Sequence, residues 1–270
     1  MEVLEVLGYL GAVLTGVSLG LIGGGGSILI VPVLVYLFKT DATQATAYSL
    51  FLVGVSSLFG AANYAKQKLI DYKTAVVFAI PAFVGVFTAR AYVVPNIPQE
   101  IAELGPILLT KDMLIMVVFA VVMLLASYSM IKKKKNVADA DENAEVEPQY
   151  NFPMIGLEGL LVGGITGFVG AGGGFLIIPA LVILAKIPMK TAVGTSLLII
   201  ASKSLFGFLG DLSSHTDIDW TFLLSLTGTS IAGIFVGTYL TKFIPGAKLK
   251  PAFGWFVLVI GTYILGRQFV

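Results

Sequence analysis

Two glycine-rich runs, each inside a long apolar stretch, are the residues of this sequence best suited to hold a ligand. They are Gly23–Gly26, followed by Ser27, and Gly170–Gly174. A glycine run breaks a helix, and the helix that begins after it leaves several backbone N–H groups unpaired at its positive end. Such an end attracts an anion, and glycine lets the anion come close to the backbone. Two of these ends together predict an anion-binding site.

Two cationic residues lie inside apolar stretches. Lys203, within LLIIASKSLFGF, is near the middle of its stretch, where a charge is costly and therefore a candidate for function. It would reinforce anion selectivity; alternatively it snorkels outward or pairs with an acid such as Asp211. Arg90 lies closer to the end of its stretch, where an interfacial anchor is the favoured interpretation.

Hydroxyl residues recur at matching positions behind both glycine runs. Ser49 and Ser196 occupy the same place in the two halves of the chain, and Thr195 precedes the second of them. Their hydroxyls have two uses open to them: hydrogen bonds to a bound oxyanion, or bonds to the helix backbone. Ser57 and Ser204 present the same two alternatives.

These features define a candidate site without catalytic or metal-binding residues. The residues expected to bind the anion are Gly24, Gly25, Gly26, Ser27, Ser49, Gly172, Gly173, Gly174, Ser196 and Lys203. Further candidates are Ser57, Arg90, Thr195 and Ser204. In the competing interpretation, the glycines only allow close helix packing, as small residues commonly do in membranes.

Other binding and catalytic chemistries are disfavoured by what the motifs lack. Neither glycine run forms GxGxxG with a following acidic residue, and no GK[ST] follows, so nucleotide binding is not expected. An intramembrane aspartyl protease needs paired aspartates, and Asp211 has no such partner in the sequence. The chain has no Cys and one His, which disfavours thiolate chemistry and metal sites. We therefore expect no enzyme activity and no cofactor.

The composition places these residues in a membrane. Of 270 residues, 57% are hydrophobic and 12% are charged, about half the charged share of a soluble domain. Nine of the 33 charged residues fall within Lys132–Glu147, which leaves the rest of the chain with very few. A net charge of +1 also provides no basic face for nucleic acid. The protein is predicted to be integral to a membrane, with the bilayer as its solvent.

Apolar stretches of about 20 residues predict transmembrane helices. They are Val3–Phe38, Thr43–Ala62, Thr74–Val94, Met113–Ile131, Phe152–Ala185, Thr191–Leu209, Trp220–Leu240 and Pro251–Gly266. The first and the fifth are too long for one span, and each contains a glycine run. We expect each to form a helical hairpin broken at its glycines, either re-entrant or just spanning.

The second half of the chain repeats the first. With a shift of 147 positions, Gly20–Gly60 aligns with Gly167–Gly207 without gaps, and 18 of the 41 pairs are identical. This similarity predicts a duplicated membrane module. The expected organisation is repeat 1 at 1–131, a charged linker at 132–151 and repeat 2 at 152–270. Each repeat would contain one glycine-broken hairpin and three transmembrane helices in an all-α polytopic fold.

The distribution of Lys and Arg predicts the orientation. If the linker 132–151 is cytoplasmic, twelve of the 17 positive residues lie inside, three lie outside and two lie within spans. Both termini would then be extracellular in a multi-pass protein of the cytoplasmic membrane. Corresponding loops of the two repeats fall on opposite sides, so the repeats would have inverted topology, a plan of secondary transporters.

The motifs together resemble one known family. Each GxxGxGGG-type segment is followed by a proline, Pro32 or Pro179, and then by an A-x-x-x-S motif at Ala45–Ser49 or Ala192–Ser196. This arrangement is similar to the sulfite exporter TauE/SafE family over nearly the whole chain. The resemblance implies a transporter with two repeats whose substrate is sulfite, sulfoacetate, another organosulfonate or a related small sulfur compound.

The leading hypothesis is therefore a secondary transporter that moves a small sulfur-containing anion by alternating access. A proton or ion gradient or the membrane potential would drive it, and the anion would lie between the two glycine-rich helix ends. The alternatives are an anion channel with the same site, an uptake permease for another small sulfur compound, and a non-transporting scaffold or receptor. The residues favour no particular oligomeric state or direction of transport.

Overall fold

The described residues form a bundle of helices and a small β-hairpin. The computed structural model describes residues 3–24, 26–104, 107–131, 152–170, 172–183, 187–212, 218–241, 243 and 246–268. Two of our expectations, the cytoplasmic linker 132–151 and a binding role for Gly25, fall outside these residues.

The secondary structure of the described residues is almost entirely helical. The helices are α1 (Val3–Ile22), α2 (Ser27–Pro32), α3 (Ala42–Lys66), α4 (Tyr72–Thr88), α5 (Val94–Asn96), α6 (Lys111–Ile131), α7 (Phe152–Val169), α8 (Gly174–Ile183), α9 (Met189–Leu212), α10 (Trp220–Leu240) and α11 (Gly246–Arg267). The π-helical turn Val33–Leu37 continues α2, and the π-helical turn Ala89–Val93 joins α4 to α5. Strands β1 (Glu100–Leu104) and β2 (Ile107–Thr110) form an antiparallel hairpin.

Several helices are long and apolar enough to cross a bilayer. In the part of the chain that the structure describes, six candidate spans occur: Val3–Ile22, Ala42–Lys66, Tyr72–Asn96, Lys111–Tyr128, Met189–Leu212 and Trp220–Leu240. Shorter apolar helices occupy Ser27–Leu37, Pro153–Val169 and Val257–Arg267. The prediction of an all-α polytopic membrane protein is confirmed.

The surface of the bundle is apolar, while polar side chains lie inside it. On α4, for example, Val76, Ile80 and Val84 are exposed at a spacing of four residues, whereas Thr74 and Phe78 are fully buried. A soluble protein would leave few large apolar side chains in such contiguous exposed rows. The exposed row on α4 therefore suits contact with lipid.

Both long apolar stretches break where glycine runs interrupt them, as predicted. The first gives α1 and α2 on either side of Gly23–Gly26, and the second gives α7 and α8 on either side of 170–173. The hairpin β1–β2 and the two π-helical turns carry no signal that helical periodicity could reveal. The hairpin lies between two of the predicted spans, Thr74–Val94 and Met113–Ile131.

The central pair of helices is α3 with α9, which are the most buried of the six candidate spans. Around this pair, α1 packs against α10, α4 packs against α7, and α6 packs against α11. Under the 147-residue shift α1 corresponds to α7 and α4 to α10, so each outer pair joins a helix of one half to a helix of the other. The two halves thus share one interior.

Small residues set the closest of these helix contacts. On α1, a side chain at Gly16 would collide with the backbone of Ser230 on α10. On α7, a side chain at Gly163 would collide with the backbone of Ala82 on α4. At these glycines, close helix packing accounts for the missing side chain.

Candidate functional site

The two glycine turns meet in the interior of the bundle. A Cβ atom on Gly24 would collide with the backbone of Gly174, and a Cβ atom on Gly174 would collide with the backbone of Gly24. Both residues are buried. The structure therefore brings together the two runs that the sequence singled out.

Each turn begins with a glycine in the left-handed region, with φ of +73° at Gly23 and at Gly170. The N–H of Gly23 closes the last turn of α1 on the carbonyl of Leu19 at 2.7 Å, and the N–H of Gly170 closes α7 on the carbonyl of Thr166 at 2.8 Å. Residues with a side chain rarely adopt this φ, which gives glycine a conformational role at both positions.

Two serines hold the turns crosswise. The hydroxyl of Ser49, on α3, donates to the carbonyl of Gly170 at 2.5 Å. The hydroxyl of Ser196, on α9, donates to the carbonyl of Gly23 at 2.7 Å and also lies 2.8 Å from the carbonyl of Val193. Each half of the chain thus anchors the glycine turn of the other half. Of the two uses considered for these hydroxyls, this geometry supports bonding to the backbone, which fixes the shape of the turns.

Lys203 supplies a charge to the second turn. Its side chain is fully buried, and its Nζ donates to Thr166 Oγ1 at 2.5 Å. The same Nζ lies 3.0 Å from the position that a Cβ atom on Gly173 would occupy. Lys203 therefore does not snorkel outward, and its described partner is a neutral hydroxyl.

The ammonium group has capacity to bind a ligand. It carries three donors and no acceptor, and the bond to Thr166 uses one of them. A cation buried without a counter-ion is costly, so an anion beside Lys203 would recover part of its solvation energy. The missing side chain at Gly173 leaves the ammonium in contact with the turn.

Two fully buried hydroxyls lie one helical turn beyond residues that contact the glycine turns. Ser57 Oγ and Ser204 Oγ have no hydrogen-bond partner among the described residues. They lie one helical turn beyond Val53 and Ile200, whose side chains reach the positions of a Cβ atom on Gly172 and on Gly174. Residues four apart share a helix face, so both hydroxyls lie on faces directed to the turns.

Ser27 lies against the second turn although it follows the first. Its hydroxyl donates to the carbonyl of Gly24 at 2.8 Å. Its Oγ is also 3.4 Å from the position that a Cβ atom on Gly172 would occupy. Gly26, which precedes α2, contacts the backbone of Thr15 instead of the opposite turn. The first turn therefore presents Gly24 and Ser27 to the second.

Both glycine turns lead into helices directed away from the point of contact. Helix α8 begins at Gly174 and continues to Ile183, whereas α2 begins at Ser27 and is prolonged by its π-helical turn to Leu37. The N-terminal ends of both helices carry partial positive charge. With Lys203 beside them, the region where the turns meet is electropositive.

Thr195 and Arg90 are not part of this cluster. Thr195 Oγ1 accepts a hydrogen bond of 2.9 Å from the backbone N–H of Asp71, in the loop before α4. Arg90 is fully buried, and its Nε lies 3.4 Å from Oδ2 of Asp211. The interpretation of Arg90 as an interfacial anchor is therefore wrong. The pairing of Lys203 with Asp211, considered above, is also wrong, because the ion-pair partner of Asp211 is Arg90.

One contributor to the site had not been identified from the sequence. Thr166 is the acceptor for Lys203, and it corresponds to Leu19 under the 147-residue shift. The sequence signal that could have identified Thr166 is its hydroxyl side chain, which replaces an apolar one at the matching position of the first repeat. This position lies one helical turn before the glycine run. Lys203 shows the same kind of exchange, because its counterpart is Ser56.

A comparison with protein families gives a match over almost the whole chain. The model described as "Sulfite exporter TauE/SafE" matches residues 9–264. This range contains both glycine turns, the five candidate serines and Lys203. The match confirms the resemblance drawn from the motifs.

Curated relatives match over most of their length. A "Probable membrane transporter protein" from Xylella fastidiosa is 28% identical over 258 residues, covering 94% of this chain and 92% of the relative. The "Probable membrane transporter protein YunE" of Bacillus subtilis is 29% identical over 249 residues, covering 83% and 82%. A relative of similar description from Methanocaldococcus jannaschii is 28% identical over 222 residues, covering 80% and 74%. No solved structure matches the chain.

Proposed function

The chain belongs to the sulfite exporter TauE/SafE family of membrane transporters, and from this premise we propose that it is a secondary transporter of a small sulfur-containing anion. Sulfite and small sulfonates are the substrates we favour. Membership in a transporter family implies a small-molecule substrate and a multi-pass location in a bilayer, and it implies that the chain is not an enzyme.

The observation that carries the proposal is the position of Lys203. Its ammonium is fully buried, bonded to a neutral hydroxyl and in contact with the glycine turn at Gly173. A buried cation beside backbone N–H groups favours an anion with several oxygen acceptors. Sulfite and sulfonate groups both present three such oxygens.

The bound anion would lie where the two turns meet. Lys203 would donate to one oxygen, and backbone N–H groups around Ser27 and Gly174 would donate to others. Ser57 and Ser204 add two buried hydroxyls whose donors have no described partner. Ser49 and Ser196 would hold the two turns at the separation that the anion needs.

Transport by alternating access would use the duplication of the chain. We propose that the two repeats have inverted topology, with the linker 132–151 in the cytoplasm and both termini outside. The contacts of α3 with α9, α1 with α10 and α4 with α7 support a twofold relation between the halves. In such an arrangement, a pseudo-twofold axis in the membrane plane relates the conformation open to one side of the membrane to the conformation open to the other side. The electrochemical gradient of a coupling proton or ion, or the membrane potential, would supply the free energy.

The proposal is tested by sulfite flux into proteoliposomes containing the purified full-length protein. A carrier gives saturable uptake that is accelerated by unlabelled sulfite inside the vesicles, whereas an anion channel gives flux without counterflow. Lys203→Met is expected to lower uptake roughly 100-fold, since hydrogen bonds to a buried charge contribute about 1.5–3 kcal/mol each.

A matched control lies on the same helix. Lys190→Met makes the same substitution at the exposed beginning of α9 and is expected to keep wild-type uptake. Unchanged sulfite and sulfonate uptake by Lys203→Met would show that the proposed site is wrong. Uptake without counterflow in the wild-type protein would replace the carrier with a channel.

A further inference from the structure

A second buried cation lies away from the glycine turns. Arg90 sits on the π-helical turn Ala89–Val93, and its side chain has no exposed surface. Its Nε, Nη1 and Nη2 atoms make no hydrogen bond to any described residue. A guanidinium group carries five N–H donors in a planar fork, so most donors of Arg90 have no acceptor in the part of the chain that the structure describes.

Asp211 provides one contact to this group. It lies in the last turn of α9, and its Oδ2 is 3.4 Å from Arg90 Nε. The neighbouring Gly210 allows α9 to approach closely, since a Cβ atom there would lie 2.9 Å from the Cβ atom of Arg90. The carboxylate balances the charge of Arg90 without filling its fork.

A second cation accompanies Arg90. Lys111, the first residue of α6, is 5% exposed and interacts electrostatically with Arg90, Asp211 and Asp112. Asp112 is engaged elsewhere, because its Oδ1 accepts hydrogen bonds from the N–H and the hydroxyl of Thr43. The region thus combines two buried cations with one carboxylate that pairs loosely with Arg90.

Leaving a buried guanidinium with unmade hydrogen bonds is expensive, and a planar pair of oxygen acceptors is what its fork binds best. We propose that Arg90, assisted by Lys111, forms a second binding subsite for a small oxyanion such as sulfite or a sulfonate. When no anion is bound, the carboxylate of Asp211 pairs with Arg90 in place of the anion.

The subsite lies at a different depth of the bundle from Lys203. Asp211 follows Lys203 by eight residues on α9, which corresponds to about 12 Å along a helix. Lys111 directly follows β2, and the turn that carries Arg90 shortly precedes β1, so the subsite lies towards the end of the bundle that carries the hairpin. The role of this subsite as an intermediate binding site during transport rests on the proposed function, whereas its ability to bind an anion does not.

Equilibrium binding of sulfite to the purified full-length protein, measured by titration calorimetry, tests the subsite. We expect two sites in the wild-type protein, one in Lys203→Met and none in the double variant Lys203→Met/Arg90→Gln. Arg267→Gln, which changes an exposed arginine on α11, is the matched control and should keep both sites. A double variant that binds sulfite as Lys203→Met does would overturn the proposal.

Asp211→Asn separates a binding subsite from a structural ion pair. If Asp211 competes with the anion, its neutralisation in the Lys203→Met background should tighten sulfite binding roughly fivefold, because a nearby like charge is removed. Sulfite should also raise the unfolding temperature of this variant more than that of Lys203→Met alone. If neither affinity nor stabilisation increases, Asp211 is only a structural partner and the subsite does not exist.

If the Arg90→Gln and Asp211→Asn variants do not fold, a conservative substitution still tests the subsite. Arg90→Lys keeps the charge but loses the planar fork, and we expect roughly tenfold weaker sulfite binding at the second site. Unchanged affinity in Arg90→Lys would also overturn the proposal. Absence of sulfite uptake by the wild-type protein, with tighter binding in Asp211→Asn, would reject the transporter and leave the subsite standing.

Discussion

The two glycine turns begin in the same way but differ in their chemistry. Each begins with a glycine at φ +73°, and each has a carbonyl that accepts a hydrogen bond from a serine of the opposite half. The helices that follow also start alike, with 3.0 Å bonds from Leu29 to the carbonyl of Gly26 and from Leu176 to that of Gly173.

The turns differ in backbone, because Gly173 has a φ of +72° where its counterpart Gly26 has a φ of −67°, and they differ in charge. Next to the second turn, Lys203 donates to Thr166, whereas the corresponding residues of the first half are Ser56 and Leu19. Ser56 lies 3.1 Å from Ser230 Oγ, so it bonds to another helix. The described residues thus place serine anchors at both turns but a buried lysine at the second turn alone. One cation suits the binding of one small anion between the turns, since a second buried cation would add a further desolvation cost.

The largest effect is expected from the glycines that begin the turns. Gly23→Ala and Gly170→Ala would each force a Cβ atom into a left-handed residue and against a neighbour, Val193 or Thr46 respectively. Strain and overpacking together would lower the free energy of unfolding by about 2–5 kcal/mol. Thermal unfolding in detergent should show similar losses for the two variants. A loss confined to one of them would show that the turns are not equivalent frameworks.

The next largest effect, on stability and on sulfite uptake, is expected in the second half of the chain only. Thr166→Val removes the described acceptor of Lys203 without changing the size of the side chain. We expect destabilisation of about 1–3 kcal/mol and roughly tenfold slower sulfite uptake, because a buried charged donor loses its partner. The reference is Leu19→Val at the corresponding position, where uptake should stay close to that of the wild-type protein. Equal uptake defects in both variants would mean that packing, and not the ammonium, explains the effect.

The sequence predicted the fold well because the strongest signals in it are local. Apolar length located the spans, and the glycine runs located the breaks between α1 and α2 and between α7 and α8. The hairpin β1–β2 could not be predicted, because it is a short connection within a helical protein. The π-helical turn that carries Arg90 depends on a shift of the hydrogen-bond pattern that leaves the apolar periodicity almost unchanged.

The sequence predicted which residues form the candidate site, but not which groups their side chains contact. The residue types at the glycine runs and at Lys203 identified it, but the partners of each side chain depend on contacts between distant helices. Ser49 bonds to a residue 121 positions away, and Lys203 bonds to Thr166 instead of Asp211. The burial of Arg90 was missed for the same reason, because its position near the end of a span suggested an interface, while α9 covers it.

The crosswise serines should give smaller and equal effects. Ser49→Ala and Ser196→Ala each remove a buried hydrogen bond to a glycine turn. Each loss should lower the free energy of unfolding by about 1 kcal/mol, and the double variant should lose about the sum if the two bonds act independently. Thermal or denaturant unfolding of the single and double variants measures this. A double variant no less stable than either single variant would contradict two independent anchors.

The smallest effect on stability is expected from Ser57 and Ser204, whose contribution should appear in binding instead. Their hydroxyls are buried without a described partner, so Ser57→Ala and Ser204→Ala should leave the free energy of unfolding unchanged within about 0.5 kcal/mol or raise it. If the hydroxyls donate to the bound anion, each substitution should still weaken sulfite binding roughly threefold to tenfold. Ser204, on the same helix as Lys203, should have the larger effect if the anion lies closer to the second turn. Equal losses would place the anion midway between the turns, and unchanged affinity in both variants would remove these hydroxyls from the site.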